Sequence, residues 1–178
     1  MSPVNNQKLN TLEQELDNIQ LTALELIRNN LKSAKKALNR LQLKDMSRVV
    51  EMDISCRTSL HEVSAMVDRV DISEETYSVF MMDSALILAE LSTCDIPPQV
   101  KAAYDTIHAA IQANERLAAP QVFTVISIIV TVVALCLPSL SPDKQPDVIQ
   151  ELDRLLEIKS NQLNLMQQMA RWHNDFLN

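Results

Sequence analysis

The sequence has no glycine in 178 residues, where average usage of roughly 7% would supply about a dozen. Glycine provides left-handed turns, bulges and close backbone approach, and tight primed hairpins depend on it. A β-rich fold is therefore hard to build from this chain, whereas helices joined by proline and polar loops can do without it. Aromatic residues are only 3%, which weakens a strand reading further. The same absence removes the phosphate-cradling P-loop and the dinucleotide fingerprint, and with them the G-x-S-x-G nucleophile elbow.

Other chemistry is also scarce. The three cysteines, Cys56, Cys94 and Cys136, are odd in number and widely spaced. They form no disulfide framework and fit a reducing compartment. Basic residues number 16 against 23 acidic ones, a net charge of −7, which counts against nucleic acid as the partner. The start, MSPVNNQKLN, has no apolar run after a basic stretch, so no cleavable signal peptide is expected. His61, His108 and His173 stand in no metal-ligand pattern, and no cysteine pair has zinc spacing. The expectation is a protein with no catalytic residues, no metal, no cofactor and no small-molecule substrate, and so not an enzyme.

What the chain does have is helical periodicity. Leu9, Leu12, Leu16, Ile19, Ala23, Ile27, Leu31, Ala34, Leu38 and Leu41 recur at steps of three and four, a heptad seam with a stutter. This predicts one helix over 6–44, a rod of about 55–60 Å. Val49, Met52, Cys56, Leu60, Val63, Val67 and Val70 make a second stripe over 46–70. Asp71-Ile72-Ser73-Glu74 resembles a capping box with Asp at its head, opening a third helix to about Thr93. Pro97 and Pro98 open a fourth. After the proline-containing linker 139–146, Leu155, Ile158, Gln162, Leu165, Met169, Trp172 and Phe176 form a second seam in a helix over 147–177. The expected class is all-α: long amphipathic, coiled-coil-like helices around one strongly apolar helix. The regions are 1–119 (the rod and three shorter helices), 120–138 (the apolar helix), 139–146 (linker) and 147–178.

Between Pro120 and Pro138 the chain reads VFTVISIIVTVVALCL, with no charge. Val122, Phe123, Val125, Ile126, Ile128, Ile129, Val130, Val132, Val133, Leu135 and Leu137 are its apolar members, while the Thr124, Ser127 and Thr131 hydroxyls can bond back to their own helix. A helix apolar on every face must be enclosed or lie in lipid. About 16 uninterrupted residues stand just below the usual span length. This is the candidate membrane segment; the competing readings are a core helix wrapped by the others and a buried strand.

A second feature is a basic row, Arg28, Lys32, Lys36, Arg40, Lys44 and Arg48, at steps of four with Lys35 beside it and only Asp45 of opposite sign. It predicts a docking strip for anionic lipid headgroups or an acidic helix, or an ordinary solvated face. The C-terminal helix, through Glu151, Asp153 and Glu157, is a possible partner within the fold.

The leading functional expectation is a non-enzymatic, membrane-associated scaffold, tether or pore component that self-assembles or binds a helical partner through its heptad seams. The alternatives are a soluble component or effector that resembles helical pore-forming toxins in general design, shielding its apolar segment until insertion, and a soluble helical adaptor or chaperone.

Overall fold

The computed structural model describes residues 3–177, and these are helical with no strand among them. Six α-helices follow in order: α1 (Pro3–Ser33), α2 (Ala37–Glu62), α3 (Glu74–Leu91), α4 (Pro98–Gln112), α5 (Ala119–Cys136) and α6 (Gln145–Leu177). Short 3₁₀ turns at Ser64–Arg69 and Leu137–Ser139 follow α2 and α5.

The long N-terminal rod is not formed. The chain leaves the helix after Ser33 and re-enters at Ala37, so the predicted boundary near residue 45 falls inside α2. No proline forces the break. Folding back lets α1 and α2 pack as an antiparallel hairpin, with Arg28 against Glu51, Gln20 against Asp53 and Asp17 against Arg57. A straight rod would leave its apolar seam to another molecule. In the hairpin Leu9, Leu16, Ala23 and Ile27 are all buried within this chain.

The third helix is capped by Ser73, whose Oγ accepts from the Thr76 amide, rather than by Asp71 two residues earlier. With no glycine available, Asn114 takes the left-handed conformation after α4 (φ 54°), a role asparagine fills at helix ends.

The apolar segment forms α5, and 14 of its 18 residues are buried. Its many β-branched residues have modest helix propensity, but enclosure by other helices overrides that preference. Helices α1, α2, α3, α4 and α6 all pack on it. One continuous core runs from Leu9 to Ile158 and draws on all six helices, so the segments separated by composition join in one bundle. Thr131 donates to the Ser127 carbonyl, four residues back, and the single Thr124 hydroxyl proton is shared between the Pro120 carbonyl and Glu13. Side chains fasten both ends of α5. Tyr77 Oη donates to the Glu115 carbonyl and accepts from the Leu117 amide ahead of it. Gln145 donates to the Leu137 and Leu140 carbonyls behind it.

Helix α6 packs parallel to α2 (Arg48 with Asp153, Cys56 with Ser160) and antiparallel to α3 (Asp83 with Arg154, Glu90 with Lys144). Its inward face follows the seam expected from the sequence over its first part, where Leu155, Ile158 and Gln162 are buried, and departs from it beyond. Leu152, Leu155, Leu156, Lys159, Leu163 and Met166 point inward, while Leu165, Trp172 and Phe176 are exposed.

Candidate functional site: a polar clasp on the apolar helix

The centre of the bundle holds a closed chain of polar side chains that begins and ends on α5. Thr124 Oγ1 donates to Glu13 at 2.9 Å. Glu13 also meets Arg57 Nη2 at 3.3 Å. Arg57 Nη1 reaches Asp17 at 2.6 Å and Gln20 Oε1 at 2.7 Å. Gln20 Nε2 then donates to Asp53 Oδ2 at 2.6 Å, and Lys159 Nζ donates to Asp53 Oδ1 at 2.7 Å. Lys159 finally donates to Ser127 Oγ, one turn along α5 from Thr124. Four helices are joined in this way: α1 supplies two carboxylates and an amide, α2 a carboxylate and a guanidinium, α6 an ammonium, and α5 two hydroxyls.

The depth of the clasp is unusual for ionic groups. Lys159 and Asp53 are both 0% exposed, and Gln20 and Ser127 are equally enclosed. Removing two charges from water costs several kcal/mol per ion, and their attraction repays this only when further hydrogen bonds complete the geometry. Asp53 meets that condition: each carboxylate oxygen takes one donor, Lys159 on one side and Gln20 on the other. Arg57 meets it less completely, since its Nε is buried without a partner. Toward the surface the clasp opens into a cleft of about 200 Å³, bordered by Leu9, Leu60, His61, Phe123 and Met166. His61 stands at this mouth, 3.7 Å from Glu13.

Such a clasp fixes register. An apolar helix in an apolar sheath can slide or rotate at little cost, because apolar contacts are non-directional. Hydrogen bonds from two successive turns of α5 to α1 and α6, tied in turn to α2 through Arg57 and Asp53, remove that freedom. The Ser127 hydroxyl and the Lys159 amine touch; both are fully enclosed and stand at the inner end of the cleft.

The candidate membrane segment lies against this clasp. Val122, Val125, Ile126, Ile129, Val130, Val132 and Val133 are 0% exposed; Ile128, Leu137 and Phe123 reach only 2%, 1% and 7%. Leu135 alone is half-buried. The helix is long and apolar enough to cross a membrane, yet in this fold the chain's own helices cover it.

The basic row is not one strip. Helix α1 carries Arg28 and Lys32, Lys36 lies at the break, and α2 carries Arg40, Lys44 and Arg48. The ends are paired, Arg28 with Glu51 at 3.1 Å and Arg48 with Asp153 at 3.2 Å. Of the acidic α6 residues proposed as partners, Asp153 is the one that makes such a pair.

Sequence reading passed over Gln20, Asp53, Ser127 and Lys159 as functional residues. A signal was present: Asp53 and Arg57 continue the three-and-four spacing of Met46, Val49 and Val50, and Lys159 continues that of Leu152, Leu155 and Leu156. A charge in register with an apolar stripe marks a buried partner. The partner's identity was not legible, because it lies on another helix, 37 to 44 residues away for Arg57 and 106 for the Asp53–Lys159 pair. No family model, curated protein or solved structure matches this chain.

Proposed function

We propose that this is a non-enzymatic helical bundle that acts at membranes, sheltering α5 while closed and delivering it to lipid when the bundle opens. The observation that carries the reading is the coincidence, in one helix, of spanning composition and near-complete enclosure. Eighteen residues of α-helix extend about 27 Å, close to the roughly 30 Å hydrocarbon core. In lipid such a helix satisfies its own backbone. Proline at both ends, Pro120 and Pro138, and a loop fastened by only a few side-chain bonds on each side mark α5 off as a unit. Once α5 leaves, the inward faces of α1 and α6 lose their cover, and pairing between copies through those faces is the assembly step.

The second reading is a water-soluble adaptor in which α5 is simply the core. The clasp favours it, since buried bonds that fix the register of a central helix suit a permanently closed bundle.

One covalent lock separates the two. Cys56 Sγ lies 3.7 Å from Ser160 Oγ across the α2–α6 contact, so Ser160→Cys puts two sulfurs within easy reach of a disulfide. The wild-type chain is expected to release dye from phospholipid vesicles. Oxidised Ser160→Cys is expected to release none, and reductant should restore release. Leakage that ignores the lock would sink the opening step. A chain that stays in the supernatant and leaves vesicles intact under all conditions is the adaptor.

A further inference from the structure

The corner between α1 and α2 gathers cations that no described acidic residue pairs with. Lys32, Lys35, Lys36, Arg40 and Lys44 are all exposed, and none makes an ion pair among the described residues. Arg28 and Arg48, at either end, are already paired with Glu51 and Asp153. From residue 28 to residue 48 the chain has seven basic residues and a single acid, Asp45, in a molecule whose net charge is −7. Among these cations stand two leucines with no cover, Leu38 at 56% and Leu41 at 59% exposure. At 100° per residue, Arg40, Leu41, Lys44 and Arg48 share the outward side of α2, opposite the buried Leu43, Met46 and Val50.

We propose that this corner is a docking surface for an anionic lipid bilayer, with the lysines and Arg40 against the headgroups and Leu38 and Leu41 entering the acyl boundary. Charge complementarity selects the partner. Cations left unpaired on an acidic protein face a negative surface, and an interfacial contact requires apolar side chains beside them, as here. A purely electrostatic partner such as a nucleic acid gives the two leucines no role, and no aromatic side chain stands among these cations to stack on bases. The inference rests on the membrane reading above for its setting, and adds the lipid class and the face of the bundle that meets it.

The test is sedimentation of the full chain with phosphatidylcholine vesicles that contain or lack about one-quarter phosphatidylserine. Lys35→Gln, Lys36→Gln and Lys44→Gln are combined, sparing Arg40 because its Nε donates to the Ala34 carbonyl and shapes the corner. Each charge removed is worth about fivefold at an anionic surface, so the triple variant should bind at least about tenfold more weakly. Arg171→Gln, an exposed cation at the other end of the molecule, should bind as wild type. Leu38→Ser with Leu41→Ser should abolish the part of binding that survives high salt. Equal binding to neutral vesicles, or a triple variant indistinguishable from wild type, overturns the proposal. So does tighter binding to a DNA duplex than to the anionic vesicles at the same salt. Oxidised Ser160→Cys should still dock without leaking dye, so loss of docking and loss of opening are read separately.

Discussion

Lys159 is the residue whose environment departs most from its ordinary habit. A lysine in a long amphipathic helix normally keeps its ammonium in water; here it is 0% exposed and satisfied by Asp53 and Ser127. Removing one partner of such a pair strands the other charge. Lys159→Ala or Asp53→Ala is therefore expected to cost about 3–5 kcal/mol, measured by urea denaturation. Lys159→Met combined with Asp53→Leu should recover most of that loss, since apolar replacement of a whole buried pair is often neutral. If the double variant is as unstable as the singles, the clasp contributes net stability beyond register. Cys136, the last residue of α5, gives a pH-dependent counterpart. Burial, with Cys94 and Asp95 nearby, pushes its thiol up to about 12 from 9.0. An acid whose folded value is raised holds its proton longer in the folded state, so stability falls as pH rises from about 9 toward 12. Cys136→Ala should flatten the alkaline decline, as followed by the urea midpoint between pH 8 and 11. An unchanged slope would remove the thiol from that account.

Among the helices, α6 shows how one element can serve two environments. Its first two-thirds bury Val148, Leu152, Leu155, Leu156 and Met166 in the bundle. Beyond Ala170 its side chains are mostly exposed, including Trp172 at 66% and Phe176 at 74%, stacked on each other with ring centroids 5.3 Å apart. Truncation after Arg171 should therefore move the thermal midpoint by no more than about 2 °C, the effect of a change well under 1 kcal/mol in a chain of this size. A larger drop would mean that the end of α6 packs on the bundle. Helix α5 is the opposite case, an element whose every side is occupied. In α2 the stripe expected over 46–70 matches the inward face only in part: Val49 is buried and Cys56 and Leu60 are half-buried, but Met52 is 39% exposed, while Asp53 and Arg57 are buried. Hydrophobicity ranks Met above Asp; the inward turn of α2 is decided by which side faces Gln20 and Lys159.

Across the whole molecule, charge and apolarity are segregated. Seven of the 16 basic residues lie between Arg28 and Arg48, at one corner, and the uncharged apolar helix α5 lies at the centre. In the function proposed above, the corner meets an anionic surface before α5 is uncovered, which makes docking and opening separable steps. The Ser160→Cys lock tests them at this scale, because it crosses α2 and α6 without touching the cations.

The sequence alone determined the helical class, the position of the uncharged segment and the absence of glycine-dependent chemistry, because periodicity, hydropathy and composition are local properties. It also placed α3, α6 and the start of α4 to within a few residues, since proline and serine mark their starts. Tertiary structure alone decided that the N-terminal rod folds into a hairpin. The break at 34–36 carries no proline or glycine, and its advantage comes from contacts between residues more than 20 positions apart. Tertiary structure alone also decided that Val122 to Leu137 is covered and that Asp53 meets Lys159. Whether an apolar helix finds protein around it, and which buried charge finds its opposite, depends on how distant helices come together in space, and spacing along one helix carries no record of that.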